Sequence, residues 1–290
     1  MNFLVIGEKI KELRKLLGLT QKDLAKGICT QAQISKIEKG DVFPYASTLY
    51  QISQRLGVDV NYFFDIGSTP RLDYVQEVSR QLKLARRNLH YEEMKQVVDN
   101  EEHNPLFTQN KKNLQILLWH KGIYHYHLFG DVEKALKFMD EAISLTHNKH
   151  WTEREIEILM SKGVIHFEIG KLTEALDIYR PAKEYLGLLP HYQDNTILSR
   201  LYYNSARTLT RLQQLDQSIS ICKDAILWCI EKDNLYLLGE LHYHIGYNYE
   251  LAGKNSLATN YMEKALAIFD LQNDIKYIEF IEAKIKKLAV

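Results

Sequence analysis

Residues 19–40 read LTQKDLAKGICTQAQISKIEKG, and the punctuation of this stretch sets the architecture around it. Thr20 is an N-cap residue, whose hydroxyl can satisfy a free amide at the start of a short helix from Gln21 to Lys26. Gly27-Ile28-Cys29 makes a tight turn. Thr30 caps again, and a third helix is expected from Gln31 to about Lys39, stopped by Gly40. Upstream, Ile6, Ile10, Leu13, Leu16 and Leu17 recur at helical steps and predict one apolar face, ended by Gly18 in the manner of a left-handed cap. Downstream, a fourth helix is expected from about Ala46 to Arg55, and Gly57-Val58-Asp59-Val60 leads into a last turn ending at Tyr62-Phe63-Phe64. Leu24, Ala25, Ile28, Ile34 and Ile37 fit the buried side of the central pair, with Ala25 small enough to let two helices cross closely.

Two short helices joined by a tight turn, braced by one helix before and two after, form a helix-turn-helix arrangement. The segment from Ile6 to Phe64 resembles the Xre/Cro-type helix-turn-helix, whose pattern is L-T-Q-x-x-L-A, then S/T, then I-S-x-I-E-x-G. That resemblance implies binding to a double-stranded DNA operator. It places Gln21 where the family contacts a phosphate, and Gln31, Gln33, Ser35 and Lys36 on the recognition helix that Thr30 opens. It also matches Arg14 and Glu38 to a structural ion pair between the first and third helices. The chemistry agrees: a glutamine amide can pair bidentately with adenine, so Gln31 or Gln33 would read A·T pairs. Lys36, with Lys15, Lys22 and Lys39, would hold phosphates, which gives affinity without sequence information.

The remainder of the chain repeats itself. GDVEKALKFMDEA (Gly130 to Ala142) returns as GKLTEALDIYRPA (Gly170 to Ala182), as QQLDQSISICKDA (Gln213 to Ala225) and as GKNSLATNYMEKA (Gly253 to Ala265). Ala135, Ala175, Ser218 and Ala258 inside these copies are spaced by 40, 43 and 40 residues, and a weaker copy places Met94 41 residues before Ala135. Each copy follows a partner helix with a small residue near its middle: WHKGIYHYHLFG, LMSKGVIHFEIG, YYNSARTLTRLQ and HYHIGYNYELAG. Hairpins of this kind resemble tetratricopeptide repeats, here with longer connections. A single hairpin cannot bury its own apolar face, so several must stack. The fold class expected is therefore all-α: a five-helix helix-turn-helix domain, then a right-handed superhelix of about five TPR-like hairpins, then a capping helix over Asp274 to Leu288. Boundaries are expected at 1–66 for the first domain, 67–74 for a linker and 75–290 for the repeats.

The first helices of the hairpins would form an inner wall that need not be apolar. Projected onto it are Arg80, Lys83, Arg86 and Arg87, then His120, Lys121, Tyr124 and His127, then Ser161, Asn204, Arg207, His244 and Tyr247. Amides, aromatic rings and cations together suit an extended peptide. A helix-turn-helix head followed by about five such hairpins resembles the PlcR-type peptide-sensing quorum regulators, the group of Rgg, PrgX, NprR and Rap. The resemblance implies a homodimer whose repeats bind a short signalling peptide and thereby change DNA binding. It assigns the peptide-gripping asparagine to Asn204 and the basic position of the first repeat to Arg86; the projection onto the wall adds Tyr124, Arg207, His244 and Tyr247 as expected peptide contacts.

Composition narrows the alternatives. Lys plus Arg and Asp plus Glu both number 37, which excludes a uniformly basic coat for nonspecific nucleic-acid binding. No apolar run is long enough to span a bilayer, and the opening residues lack the features of a secretory signal, so a cytoplasmic location with no membrane partner is expected. The three cysteines, Cys29, Cys222 and Cys229, fit free thiols in a reducing compartment. His125 with His127, and His242 with His244, stand two apart on helices and cannot chelate one ion, so no metal and no cofactor are expected. No phosphate loop or nucleophile motif points to an enzyme. Two other readings remain open: a DNA-tethered scaffold for protein partners, and a thiol-responsive regulator acting through Cys29.

Overall fold

The computed structural model describes residues 2–69 and 71–288. Among the described residues every regular element is a helix. The chain divides into two compact units, Met1–His120 and Lys121–Val290.

The first unit opens with α1 (Phe3–Leu16), α2 (Gln21–Ala25), α3 (Gln31–Glu38), α4 (Ala46–Leu56) and α5 (Val60–Ser68). Both threonine caps form as capping boxes: Thr20 with Asp23, and Thr30 with Gln33. Ile6, Ile10, Leu24, Ile34, Ile52 and Phe63 meet in one core with almost no exposure. The apolar face of α1 is shorter than its sequence suggests. Leu16 and Leu17 are 79% and 51% exposed, because the helix ends there and the chain turns away at Gly18. The segment after Asp59 is likewise a helix of nine residues and not a single turn. Gly7 marks where α1 and α3 touch: a methyl group there would lie 3.1 Å from the Glu38 carbonyl carbon and against the Ile37 carbonyl oxygen.

Because α5 continues to Ser68 and α6 (Leu72–Arg87) begins soon after, most of the span 67–74 expected as a linker is helical. The same unit holds α7 (Tyr91–Glu101), which pairs with α6, the short α8 (Pro105–Thr108), and the first half of α9 (Lys111–Phe129). The division between units thus falls inside α9 and not near residue 66.

The second unit contains the rest of α9, then α10 (Val132–Ser144), α11 (Glu153–Glu168), α12 (Leu172–Gly187), α13 (Thr196–Arg211), α14 (Leu215–Glu231), α15 (Leu238–Leu251), α16 (Asn255–Leu271) and α17 (Ile275–Leu288). Consecutive helices α11/α12, α13/α14 and α15/α16 pair as antiparallel hairpins, and α17 covers α16 as the expected cap. The small residues lie where these pairs meet. A methyl on Gly122 would sit 2.8 Å from the Ala135 carbonyl oxygen, and one on Gly246 would sit 3.0 Å from that of Ala258. Close helix approach is therefore built into these two hairpins by small residues on both partners, whereas Gly163 on α11 makes room for the Tyr179 ring on α12. The hairpin turns share a left-handed residue: Gly130, Gly170 and Gly253 have φ of +65°, +82° and +70°, and Gln213 takes the same place at +62°. Further contacts of α11 with α13, and of α13 with α15, set the first helices side by side as one wall.

Candidate functional site

The recognition helix α3 is tied to the core by a relay of polar side chains. Arg14, nearly buried, holds Glu38 through Nε at 2.5 Å and Nη2 at 3.1 Å, the bidentate geometry of a strong ion pair. Glu38 can only accept, so it takes the Gln21 amide N–H at 2.8 Å and forces the Gln21 carbonyl the other way. That carbonyl accepts from Gln31 Nε2 at 2.7 Å. Gln31 is exposed at the first turn of α3, so one amide hydrogen and its Oε1 are left to face outward. Gln33 is used differently. Its Oε1 accepts from the Thr30 amide at 2.9 Å, which spends the carbonyl on the capping box. Thr30, Lys22, Lys36 and Lys39 are exposed, and Ser35 is half-buried.

Arg55 acts at a distance that no local motif reveals. Its guanidinium donates to the carbonyls of Asp23 at 3.2 Å and Leu24 at 3.0 Å, and also to that of Lys26, closing the end of α2. The turn before the recognition helix is thereby fixed from a helix about 30 residues away. Cys29 lies in that turn, half-buried against the core, and burial pushes its thiol up. A reactive thiolate needs the opposite shift, so the geometry weighs against the thiol-responsive reading.

On the wall of the second unit, α13 presents Asn204 and Arg207 one turn apart. Asn204 is half-exposed. Arg207 is exposed, with its guanidinium 4.7 Å from the ring centre of Phe167 on α11 and 5.7 Å from that of Tyr203. Tyr203 in turn meets His244 edge-on, with ring centres 5.8 Å apart. Tyr203 and Phe167 are wall residues that sequence reading missed; the neighbouring Tyr202-Tyr203 pair hides which ring faces the wall. Tyr247 is half-buried on α15, stacked parallel to Tyr243 and under the Lys284 ammonium at 5.5 Å.

His244 is set into the core more than onto the wall, with 7% of its surface exposed. The Thr210 hydroxyl lies 2.8 Å from Asn248 Oδ1, 2.9 Å from His244 Nε2 and 3.0 Å from the Ala206 carbonyl oxygen. Asn248 Nδ2 donates to Ser218 Oγ at 3.0 Å, which completes a buried polar cluster joining α13, α14 and α15. Burial pushes the His244 imidazole down to about 4, so it is neutral. Tyr124 is also buried, stacked on His125 with ring centres 5.0 Å apart. Arg86 belongs to the first unit, half-buried on α6 with its guanidinium 3.9 Å over Trp119. Of the six residues expected to hold a peptide, Asn204, Arg207 and Tyr247 reach the open part of the wall in the second unit.

Among the described residues no cluster of His, Cys, Asp or Glu could hold a metal ion, and no helix is long and apolar enough to cross a membrane.

Residues 7–65 match a helix-turn-helix domain, and residues 79–288 match the RNPP family C-terminal domain. The chain belongs to the RNPP family. Solved RNPP-like structures share its fold along nearly its whole length. The Bacillus thuringiensis PlcR structure in complex with the peptide PapR7 and DNA superposes with a TM-score of 0.87 at 22% identity, covering 96% of this chain and 99% of that one. ComR from S. thermophilus, in complex with DNA and its signalling peptide ComS, gives 0.66 at 16% identity over 98% of this chain and 100% of the other. The Streptococcus dysgalactiae SHP pheromone receptor Rgg2 gives 0.64 at 14% identity over 97% and 99%. An HTH-type transcriptional regulator of Sinorhizobium medicae is 41% identical over 61 residues, 21% of this chain. The chain spans 44% of the length of that relative.

Proposed function

We propose that this RNPP-family chain is a cytoplasmic, non-enzymatic transcriptional regulator. A homodimer would read a double-stranded operator through α3 and bind a short signalling peptide on the wall of first helices. The observation that carries the reading is the posture of Gln31. Its outward Oε1 and remaining N–H match adenine N6 and N7, while the capping box keeps Gln33 from making the same bidentate pair. Lys22, Lys36 and Lys39 lie exposed around it and would take phosphates, as would the start of α2. Asn204 and Arg207 would grip the peptide, with Tyr247 as an aromatic seat. The solved relatives that carry both DNA and a peptide support this pairing of functions.

Mechanistically, a peptide that prefers one packing of the stacked hairpins shifts the population toward it. In a dimer, that packing sets the distance between two recognition helices, and an operator with half-sites about one turn apart accepts only one distance. Coupling of this kind is typically worth about 1–3 kcal/mol, a change in affinity of roughly 5- to 150-fold. The test is selection of binding sites from random duplex DNA by the full chain, with and without pooled synthetic heptapeptides. A two-fold symmetric motif containing A·T pairs, with enrichment that changes when peptide is present, is the expected result. Selection of no motif would refute the operator half; a motif indifferent to every peptide would refute the sensing half.

A further inference from the structure

Arg200, Asn204, Arg207 and Arg211 follow one another down a single stripe of α13, at helical steps of three and four. The three arginines differ in one respect. Arg200 is neutralised: its Nη2 lies 2.8 Å from Glu157 and 3.6 Å from Asp194. Arg207 and Arg211 have no carboxylate within ion-pair distance among the described residues. Each instead packs on the same ring, both guanidinium carbons 4.7 Å from the centre of Phe167, and Arg211 Nη1 also donates to the Phe167 carbonyl at 2.9 Å. Two like charges are thus held one turn apart on exposed positions, where a helix would ordinarily avoid them. Other charges stand near the wall, among them Glu168 beside Phe167, whose carboxylate lies 4.0 Å from His127 Nδ1. Lys284 is paired with Glu250 at 2.8 Å, Lys162 with Asp140, and the Glu153 carboxylate accepts the amides of Gln193 and Asp194. Glu240 is largely buried, and burial pushes its carboxyl up.

We infer that the wall selects an anionic peptide: one whose chain, running past Asn204, places a carboxylate side chain between Arg207 and Arg211. This rests on the peptide-binding reading above and narrows it to a class of ligand. Phe167 orients the two planar cations without neutralising them, which leaves for a carboxylate the N–H edge of Arg207 and the N–H groups of Arg211 other than the one held by the Phe167 carbonyl. A guanidinium fork held in place in advance loses little entropy when it binds, so the charge contrast should appear in affinity.

The full-length chain decides the matter by affinity selection against three pools of synthetic heptapeptides. The pools are randomised identically except that each peptide carries one fixed Glu, Gln or Lys at its central position. The Glu pool should be retained at least about tenfold above the Gln pool, as for hydrogen bonds to a charged group, with the Lys pool lowest. In the Arg207→Gln/Arg211→Gln protein the Glu preference should vanish. In Arg207→Lys/Arg211→Lys, which keeps both charges but loses the fork, it should persist in weakened form. Both variants change exposed side chains, and an unchanged melting temperature shows that they fold. Equal retention of the three pools overturns the charge selection while leaving peptide binding intact. Retention of none of them overturns the peptide reading itself, and this inference with it.

Discussion

Gln31 donates from its side-chain amide to the Gln21 carbonyl over 2.7 Å, and through Gln21 and Glu38 it is linked to Arg14 in the core. A base-reading glutamine would otherwise sample several rotamers in water and pay for their loss on binding DNA. The relay settles that cost at folding. Gln21→Ala removes the middle member without touching the face that would meet bases. Operator affinity should fall by about tenfold, consistent with one lost hydrogen bond plus freed rotamers, while the slope of affinity against salt stays nearly the same. Lys36→Gln should do the reverse, lowering the salt slope by roughly one phosphate contact. Fluorescence anisotropy on the selected operator at several salt concentrations measures both. A Gln21→Ala protein that binds as tightly as the parent would show that the relay has no bearing on recognition.

In the helix-turn-helix core α1 and α3 approach closely at Gly7, where even a methyl group meets the backbone of Ile37 and Glu38. Backbone cannot swing aside as a side chain would, so Gly7→Ala must push α1 away from α3. The penalty should be about 2 kcal/mol or more despite the better helix propensity of alanine. Because Arg14 on α1 and Glu38 on α3 are pulled apart by the same movement, DNA affinity should fall together with thermal stability. Calorimetric melting of the variant beside the parent gives the first quantity. A melting temperature equal to the parent's would contradict the close contact.

These two sites show where local sequence stops being informative. Thr20 and Thr30 announce their helices because a cap and its partner lie three residues apart, and the repeat spacing announces the hairpins because it recurs. The capping box with Gln33 was equally local, and it separates the two glutamines once it is weighed. Gly7 and Arg55 act on partners some 30 residues away, and no window around either residue contains them. On the repeat wall the difficulty is of another kind. From Gln115 to Tyr124, α9 is buried on nearly every side except at Lys121, so helical periodicity could not say that Tyr124 faces the core. His244 is equally hard to place from periodicity, since its partner Thr210 and the neighbouring Asn248 are polar and give no apolar pattern.

Gln213 occupies the turn position that glycine fills in three other hairpins, with φ of +62°. A side chain in the left-handed region costs about 1 kcal/mol relative to glycine. Its backbone N–H still bonds to the Thr210 carbonyl at 3.0 Å, so the turn is intact and only the strain would change. Gln213→Gly should therefore raise stability slightly, by up to about 0.6 kcal/mol after the extra freedom of glycine in the unfolded chain, about 0.4–1 kcal/mol, is deducted. Urea denaturation with an unchanged m-value would measure it. Destabilisation would mean that the glutamine side chain contributes more than its backbone strain removes.

His244 gives the second unit a calculable response to acid. Its folded-state value of about 4 lies below the ordinary 6.5, with burial as the main cause and the nearby Arg207 acting in the same direction. The unfolded chain therefore takes up the proton first. The contribution of the neutral, buried ring is complete above pH 6.5, is lost progressively as pH falls toward 4, and changes no further below that. The span corresponds to about 3 kcal/mol. His127, His166 and His242 are also pushed down by burial, so the parent protein's acid sensitivity is a sum over several rings. The difference between the parent and His244→Gln isolates one of them, since a glutamine amide can hydrogen-bond to Thr210 either as donor or as acceptor but does not titrate. The variant should be less stable than the parent at pH 7.5 and should lose its disadvantage as pH falls from 6.5 to 4. Parallel curves of stability against pH would mean that His244 already carries its proton, or is open to water, in the folded protein.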